Sequence, residues 1–381
     1  MKKIKLLHFI HNLNQGGAET LVKDYALLID KEKFDLIILC HDRINSPYEK
    51  ILKDAGIRLI FISDYFPFKR LYFNPLINKI ICHSYIDKMI ARYIVRKENP
   101  DIIHTHLPFN SIIKFTNPSK KCKLFHTVHS QPKAYWCTGT RFANRDFKAV
   151  SYLVKKYGMR LIALNEPMRV ELNEMFHVNN TVVLNNGIDF KRFNVAESKD
   201  TIRKELNIDK NAFLVGHVGR FVPVKNHSLI VEAFHELRKL KKNAHLLLVG
   251  TGELRTQIEN KIELLGLKEN VTILESRTDI PRIMKVLDVF IFPSHFEGLG
   301  IVLIEAQKMG VPCVISDAIP EAAIVSNLVF RMQKNSTPKQ WAEQLNKTKA
   351  IDPEYFGIEK WDMNVVVKQL EELYLKELSR K

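Results

Sequence analysis

The sequence predicts two successive α/β domains, each a parallel sheet flanked by helices. Strand, loop and helix patterns alternate along the chain. The strand runs are continuously apolar and rich in β-branched residues, as a sheet covered on both faces requires. The alternation breaks once, over the charged residues 191–210, where the domain boundary is expected. With 381 residues, 46% of them apolar, the chain can fill one core in each of two ordinary domains.

In order, residues 5–10 read as a strand ending in Asn and Gly, and 18–29 as a helix with apolar residues at helical spacing. The pattern recurs as a strand over 34–40, a helix over 48–55 and a strand over 59–62. A long helical stretch then runs up to Pro100, followed by strands over 102–105 and 124–128. Asn186-Gly reads as a turn before the charged stretch. The second series has strands at 213–218, 245–249, 271–274, 289–292 and 313–315, with helices at 228–240, 254–265, 280–286 and 301–309 between them. Residues 361–381 read as one amphipathic helix. The domains expected are therefore 1–190 and 191–360, with the last helix, 361–381, packing back on the first domain.

Composition excludes several classes of protein. Gly and Pro, at 15 each, are too sparse for a low-complexity chain. Five scattered cysteines with no C-x-x-C pair argue against a disulfide framework or a thiolate zinc site and fit a reducing cytoplasm. The apolar run at the start is broken by His8, unlike a signal peptide, and no 18-residue apolar run offers a membrane span. The net charge of +16 is uneven: residues 1–190 hold 29 Lys and Arg against 17 Asp and Glu, whereas 191–381 hold 29 against 25. A basic first half suits nucleic acid, anionic lipid or phosphorylated ligands, and charge alone chooses none of them.

The most specific motif is Ser294-His-Phe-Glu297-Gly298-Leu299-Gly300-Ile-Val-Leu-Ile-Glu305. Gly298, Leu299 and Gly300 would present backbone N–H groups at a helix N-terminus, where a phosphate binds readily. Eight residues along a helix would bring Glu297 and Glu305 to one face, where both carboxylates accept hydroxyl hydrogens from a polyol. The plain alternative is an acid favoured at a helix start and a surface glutamate. Directly after the strand at 213–218 comes Gly219-Arg220 with Lys225, a guanidinium and an ammonium suited to a diphosphate on a ligand loop, or else two solvated charges.

In the first domain, Gly16 and Gly17 in Asn14-Gln-Gly-Gly-Ala-Glu19 would let the backbone approach a ligand. Neither this nor Val249-Gly-Thr-Gly is a G-x-G-x-x-G, so a dinucleotide oxidoreductase is poorly supported. His104, His106, His126 and His129 cluster in sequence at strand ends, but no Cys and no acid at ligand spacing joins them. A polar contact to a ligand is expected of them rather than a metal site. The chain holds no Asp-x-Asp pair for a metal-bound diphosphate.

Taken together, Gly16-Gly17-Ala-Glu19, Thr127-Val-His129, Asn186-Gly-Ile-Asp189, Gly219-Arg220 with Lys225, and Glu297 with Glu305 make the chain resemble the family 4 retaining glycosyltransferases of the GT-B fold, over nearly its whole length. The likeness is to the branch that builds exopolysaccharide and capsule. The resemblance implies two Rossmann-like domains with parallel sheets facing across a cleft, the acceptor on the first and a nucleotide-sugar donor, a UDP-sugar, on the second. It implies that Arg220 and Lys225 neutralise the leaving diphosphate without a metal, Gly298 to Gly300 add amide contacts, Glu305 holds the ribose, Glu297 contacts the donor sugar and His129 lies near it. Gly16 and Gly17 would close over the phosphates. No cofactor is expected beyond the nucleotide-sugar co-substrate. The expected partners are a glycan or polyprenyl-diphosphate-linked acceptor and an anionic membrane surface, with no nucleic acid. The place of work would be the cytoplasm, peripheral on the inner face of the plasma membrane.

Many members carry a Gly-rich turn after the equivalent of Asp317, where this chain reads Ala-Ile-Pro-Glu321, leaving the role of Glu321 open. Two other functions share parts of the pattern. A GT-B sugar-nucleotide epimerase has the same halves with different acids. A nucleic-acid binder would use the charge and the aromatic, basic run from Tyr65 to Phe73, although no RNA-binding motif surrounds that run. The same run also suits a membrane interface.

Overall fold

The computed structural model describes residues 2–65 and 83–380. The run from Tyr65 to Phe73 therefore lies, beyond Tyr65, outside the described residues. The chain forms two compact units, Met1–Gly187 with Met363–Lys381, and Ile188–Asp362.

The first unit holds a sheet of β1 (Ile4–Ile10), β2 (Phe34–Cys40), β3 (Arg58–Phe61), β4 (Ile102–His106), β5 (Lys123–Thr127), β6 (Arg160–Ala163) and the short β7 (Val182–Val183). Its order is β3-β2-β1-β4-β5-β6-β7, with every pairing parallel. Alternation along β1 divides the core: Leu6 and Ile10 pack in one apolar layer, Leu7 and Phe9 in the other. Its helices include α1 (Gly17–Leu28), α2 (His83–Glu98), α3 (Asn110–Thr116) and α4 (Arg141–Tyr157).

The second unit holds β8 (Phe213–Val218), β9 (Ala244–Val249), β10 (Val271–Leu274), β11 (Val289–Phe292), β12 (Cys313–Ser316) and β13 (Val329–Met332) in the order β10-β9-β8-β11-β12-β13, again all parallel. Helix α5 (His227–Leu240) follows the loop after β8, and α6 (Ile301–Lys308) the loop after β11. In both sheets the strand order reverses beside the first strand, between β1 and β4 and between β8 and β11. Open α/β sheets bind ligands at the carboxyl ends of the strands that flank such a reversal.

The stretch 191–210 is not a linker. It forms a turn of 3₁₀ helix at Phe190–Phe193 and a helix at Lys199–Glu205, and of its few apolar residues, Phe193, Ile202 and Ile208 are buried in the second core while Val195 and Leu206 pack against it. Its low apolar content reflects one thin buried edge, so pattern alone hid the helix. At the other crossing Trp361 belongs to the second unit, where Ile188 N donates to Trp361 O at 2.7 Å. The last helix, α7 (Met363–Ser379), starts just beyond and sits in the first unit. Its Met363, Val366, Val367, Leu370 and Tyr374 follow helical spacing and are buried among the residues of β1 and β2.

Candidate functional site

At the reversal point of the second sheet, two loops meet. The loop after β8 carries Arg220 and Lys225, and the loop after β11 carries Glu297. They are tied where His295 N donates to Val224 O at 2.8 Å and where Lys225 Nζ lies 2.6 Å from Glu297 Oε1. Both side chains of that pair are mostly buried, and Lys225 Nζ also lies 5.1 Å from the centre of the Phe292 ring. Arg220 is exposed, and its guanidinium has no hydrogen-bond or ion-pair partner among the described residues. The site thus holds one cation neutralised by a carboxylate and one cation left over, a net charge suited to an anion.

Helix α6 starts at Ile301, so Glu297 precedes it and only Glu305 stands on it. The expectation that both glutamates share a helix face is corrected. Gly300 explains the break: it takes φ 80°, and a Cβ there would sit 3.1 Å from the Phe292 ring, so the turn between the two acids accepts only glycine comfortably. Leu299 is buried in the core beneath, anchoring the loop, whereas nothing lies within 4 Å of a Cβ placed on Gly298. The backbone of Gly298 to Gly300 therefore runs over an apolar anchor at the start of α6.

Two histidines beside this loop escaped the sequence reading. His217, wholly buried on β8, donates from Nδ1 to Ile291 O at 2.9 Å. Its Nε2 is then a bare lone pair, has no partner among the described residues, and would lie 2.9 Å from a Cβ on Gly219. His227, first in α5, stacks on Phe221 with ring centres 4.2 Å apart. Burial holds both rings below the usual histidine range, His227 at about 4, so neither adds charge to the loop at neutral pH. For His217 the sequence signal was a polar residue in an otherwise apolar strand, whereas His227, at a helix start, gave none. Glu321 is exposed in a turn of 3₁₀ helix and pairs with Arg331 at 2.5 Å.

In the first unit the four histidines expected to cluster are divided by the pleat of the sheet. Register pairs His8 with His104 and Thr105 with His126, so His8, His104 and His106 share one face and His126 points to the other. There His126 bonds Thr105 Oγ1 at 2.8 Å, next to the buried Asp146, which accepts from Asn110 N and Trp136 Nε1. On the first face a chain of hydrogen bonds runs from Thr127 Oγ1 to His104 Nε2 (2.7 Å), His104 Nδ1 to Tyr374 Oη (2.5 Å), Tyr374 Oη to His8 Nε2 (3.2 Å), His8 Nδ1 to His106 Nε2 (3.1 Å) and His106 Nδ1 to His129 Nε2 (3.1 Å). His104 is thus a buried partner of the last helix, not the ligand contact expected of it. His129 ends the chain, with Nδ1 buried and lacking a partner among the described residues.

Donation in either direction closes this chain; with Tyr374 donating to His104 Nδ1, the orphaned atom at the far end is a bare acceptor rather than an unpaired N–H, the less costly outcome. His8 Nε2 then donates to Tyr374. Because each neutral imidazole carries one hydrogen, His106 donates to His8 and His129 donates from Nε2 to His106. His129 Nδ1 is left as an acceptor. Burial holds His129 and His8 at about 3, so the rings are neutral.

Nitrogens of His8, His104 and His106 lie within 4.8 Å of one another, a spacing a metal can use. All six of their nitrogens are engaged in the chain above, and no carboxylate joins them to offset a dication in so buried a place. A second such group, His11, His41 and Asp42, lies at the ends of β1 and β2. Burial lowers His41, but the carboxylates of Asp42, 2.9 Å from Nδ1, and Asp87, 3.2 Å from Nε2, outweigh it and hold the ring up at about 9. Both ring nitrogens are thus already engaged by carboxylates.

Gly16 caps α1 with an ordinary extended backbone, and a Cβ there would fall 2.3 Å from Glu19 Oε2. The first glycine makes room for the carboxylate of the third helical residue, folded back over the helix start. Gly17 opens the helix, with nothing within 4 Å of an added Cβ.

Two parallel-sheet Rossmann-like units, the second with cations and a carboxylate on the loops of its reversal point, are the architecture of the GT-B fold. Residues 15–192 match the sequence model described as Glycosyltransferase Family 4, and residues 198–355 that described as Glycosyl transferases group 1. The chain belongs to the family 4 glycosyltransferases. It is 28% identical over 336 residues, 85% of this chain and 82% of the relative, to the Escherichia coli UDP-Gal:alpha-D-GlcNAc-diphosphoundecaprenol alpha-1,3-galactosyltransferase. To the Staphylococcus aureus capsular polysaccharide biosynthesis glycosyltransferase CapH it is 22% identical over 387 residues, 98% of this chain and 99% of that one. Among solved structures, HepE of Anabaena in complex with UDP and glucose superposes with a TM-score of 0.75 at 18% identity, covering 98% of this chain and all of that one.

Proposed function

We propose that the protein is a retaining, metal-independent glycosyltransferase that moves a sugar from a UDP-sugar to a polyprenyl-diphosphate-linked saccharide or a glycan in cell-surface polysaccharide synthesis. The observation that carries this reading is the Lys225–Glu297 pair, 2.6 Å apart beside Arg220, which has no side-chain partner among the described residues, at the reversal point of the second sheet. A diphosphate entering there takes Lys225 from Glu297 and adds the free fork of Arg220, so both cations face the charge that develops as the leaving group departs. Glu297, released from Lys225, becomes an acceptor for hydroxyls of the donor sugar. Glu305 takes the ribose hydroxyls, and His129 offers Nδ1 to the donor sugar.

In this reading the acceptor hydroxyl attacks the anomeric carbon from the face the diphosphate leaves. The bond from that carbon to the diphosphate oxygen breaks, the new glycosidic bond forms on the same side, and the acceptor proton passes to the leaving phosphate oxygen. No side-chain nucleophile is needed, and catalysis is electrostatic stabilisation and positioning. A lipid-linked acceptor places the work at the inner face of the plasma membrane. Among the described residues no helix is long and apolar enough to cross a membrane.

A panel of nucleotide sugars screened by thermal shift identifies the donor, because a ligand of the folded state raises its melting point. Transfer is then followed with the donor found. A UDP-sugar should stabilise the protein, the product should keep the donor's anomeric configuration by NMR, and EDTA should leave the rate unchanged. An inverted product, or full loss of activity with EDTA, refutes the corresponding part. Conversion of the donor sugar without any acceptor would make the protein an epimerase.

A further inference from the structure

Helices α2, α3 and α4 of the first unit carry ten Lys and Arg and only three carboxylates. All three carboxylates are turned inward. Asp87 is 6% exposed and bound to His41, Glu98 is 9% exposed and bound to Arg58, and Asp146 is 2% exposed and bound by Asn110 and Trp136. Sequence alone gives the basic excess, but only the fold segregates the signs, because each acid falls on its helix's buried stripe.

Between these helices runs a groove of about 800 Å³, and its cationic lining is Lys88, Lys114, Arg141, Arg145 and Lys148. No carboxylate lines it, and among the described residues none of the five cations has an ion-pair partner. Five like charges around one cavity repel one another, so the arrangement persists at a cost that an anionic occupant would relieve. Phe115 and Tyr152 form its apolar part, with Lys114 Nζ 4.5 Å from the Tyr152 ring centre.

The outer surface beside the groove mixes rings with these charges. On α2, Tyr85 (55% exposed) and Met89 (48% exposed) alternate at helical spacing with Lys88 and Arg92, and Tyr93 is 54% exposed. On α4, Phe142 is 40% exposed next to Arg145. Exposed apolar side chains gathered at a single charged face mark an interaction surface. Rings, a methionine and cations together fit the boundary of lipid headgroups and acyl chains. A nucleic acid would instead call for rings set out as stacking platforms, whereas Phe115 is covered edge-on by Tyr85 at 5.6 Å and Tyr152 lies beneath Lys114.

We infer that the groove between α2, α3 and α4 binds the phosphates of anionic lipids and docks the first unit on an acidic membrane surface, with Tyr85, Met89, Tyr93 and Phe142 entering the headgroup layer. This deepens the lipid-linked acceptor reading above, yet it stands on charge segregation and survives if that acceptor is wrong.

The test is sedimentation with vesicles of phosphatidylcholine alone or with about a third phosphatidylglycerol, using the full chain and the triple variant Lys114→Glu, Arg145→Glu, Lys148→Glu. Each cation near an anionic surface strengthens partitioning about fivefold, so losing three weakens it by at least about a hundredfold, and the repulsion of the three added carboxylates weakens it further. The wild type should bind only the acidic vesicles and release them at high salt. A control variant, Lys204→Glu, Lys242→Glu, Lys268→Glu, with equal net charge but changed on exposed sites of the second unit, should bind like wild type. Thermal unfolding and the donor-induced thermal shift should match wild type in both variants, which separates failure of docking from failure of the transferase reading. Equal binding by the triple variant and wild type, equal loss in the control, or indifference to lipid charge overturns the inference. So does displacement of a groove-dependent signal by soluble pyrophosphate without any vesicle binding, or loss of RNA binding alone in the triple variant.

Discussion

Lys225 Nζ and Glu297 Oε1 lie 2.6 Å apart, joining the loop after β8 to the loop after β11 across the point where the strand order of the second sheet reverses. Without ligand, the carboxylate holds the ammonium in place and keeps it desolvated beside Phe292. A group held this way costs little reorganisation when the diphosphate arrives. Arg220→Ala and Lys225→Ala are each expected to lower kcat/KM by about 2 to 4 kcal/mol of transition-state stabilisation, a loss of roughly 30- to 1000-fold. Steady-state kinetics with the identified donor measure it, and near-wild-type rates in both variants would remove the proposed phosphate site.

The two glutamates should separate kinetically. Glu305, on α6, is proposed at the ribose, a contact made about equally in the ground and transition states, so Glu305→Ala should raise donor KM with kcat little changed. Glu297 positions Lys225 as well as the sugar, so Glu297→Gln should lower kcat more than donor affinity. Calorimetry with UDP decides the first: binding as tight as wild type in Glu305→Ala contradicts the ribose role.

The buried framework was readable because its strands are continuous apolar runs. Strands β2, β8, β10 and β11 fall where periodicity puts them. Between 129 and 180 the sequence pattern marks no element, yet β6 and three helices lie there, including α4. Strand β6 has only four residues, and α4 is so basic that its buried stripe of Ala143, Ala149, Val150 and Leu153 hardly stands out. The cations and acids of the second-unit loops were legible by type and spacing. Their pairing was not, since the contact of Lys225 with Glu297 depends on two distant loops becoming neighbours through strand order. The role of Tyr374 was equally hidden: in sequence it is one more apolar position on an amphipathic helix.

Tyr374 sets the direction of the hydrogen-bond chain that ends at His129. Wild type is expected to hold His129 with its proton on Nε2 and a bare Nδ1, read by ¹⁵N chemical shifts of labelled histidine. Tyr374→Phe removes the donor to His104 and the acceptor for His8, leaving a buried N–H unpaired at a cost of about 1 to 3 kcal/mol of stability. It should also release the tautomer, giving mixed ¹⁵N signals for His129 and a lower kcat while UDP binding is kept. A proton on Nδ1 of His129 in the wild type would refute the assigned direction.

The same histidines should make the first unit acid-sensitive. His8 and His129 are held at about 3 and His126 at about 4, with His104 and His106 also well below the usual range, in each case by burial. Neutral in the folded unit, all five take up protons in the unfolded chain below about pH 6.5. Their contribution to stability is whole above that pH and is lost as pH falls toward their folded values. Each adds about 1.4 kcal/mol per pH unit to the slope, up to about 7 kcal/mol per unit for five. His41 acts in the opposite sense: raised to about 9 by Asp42 and Asp87, it stabilises fully below pH 6.5 and loses that contribution as pH rises through 9. Urea unfolding of the first unit's transition should therefore show a plateau near neutrality, a steep fall between about pH 6 and 5, and a shallow decline above 8. His126→Phe should reduce the acid slope by about one histidine's share. A stability curve flat from pH 7 to 5 would mean that these rings are protonated in the folded protein, and with it the neutral chain from Tyr374 to His129 would fail.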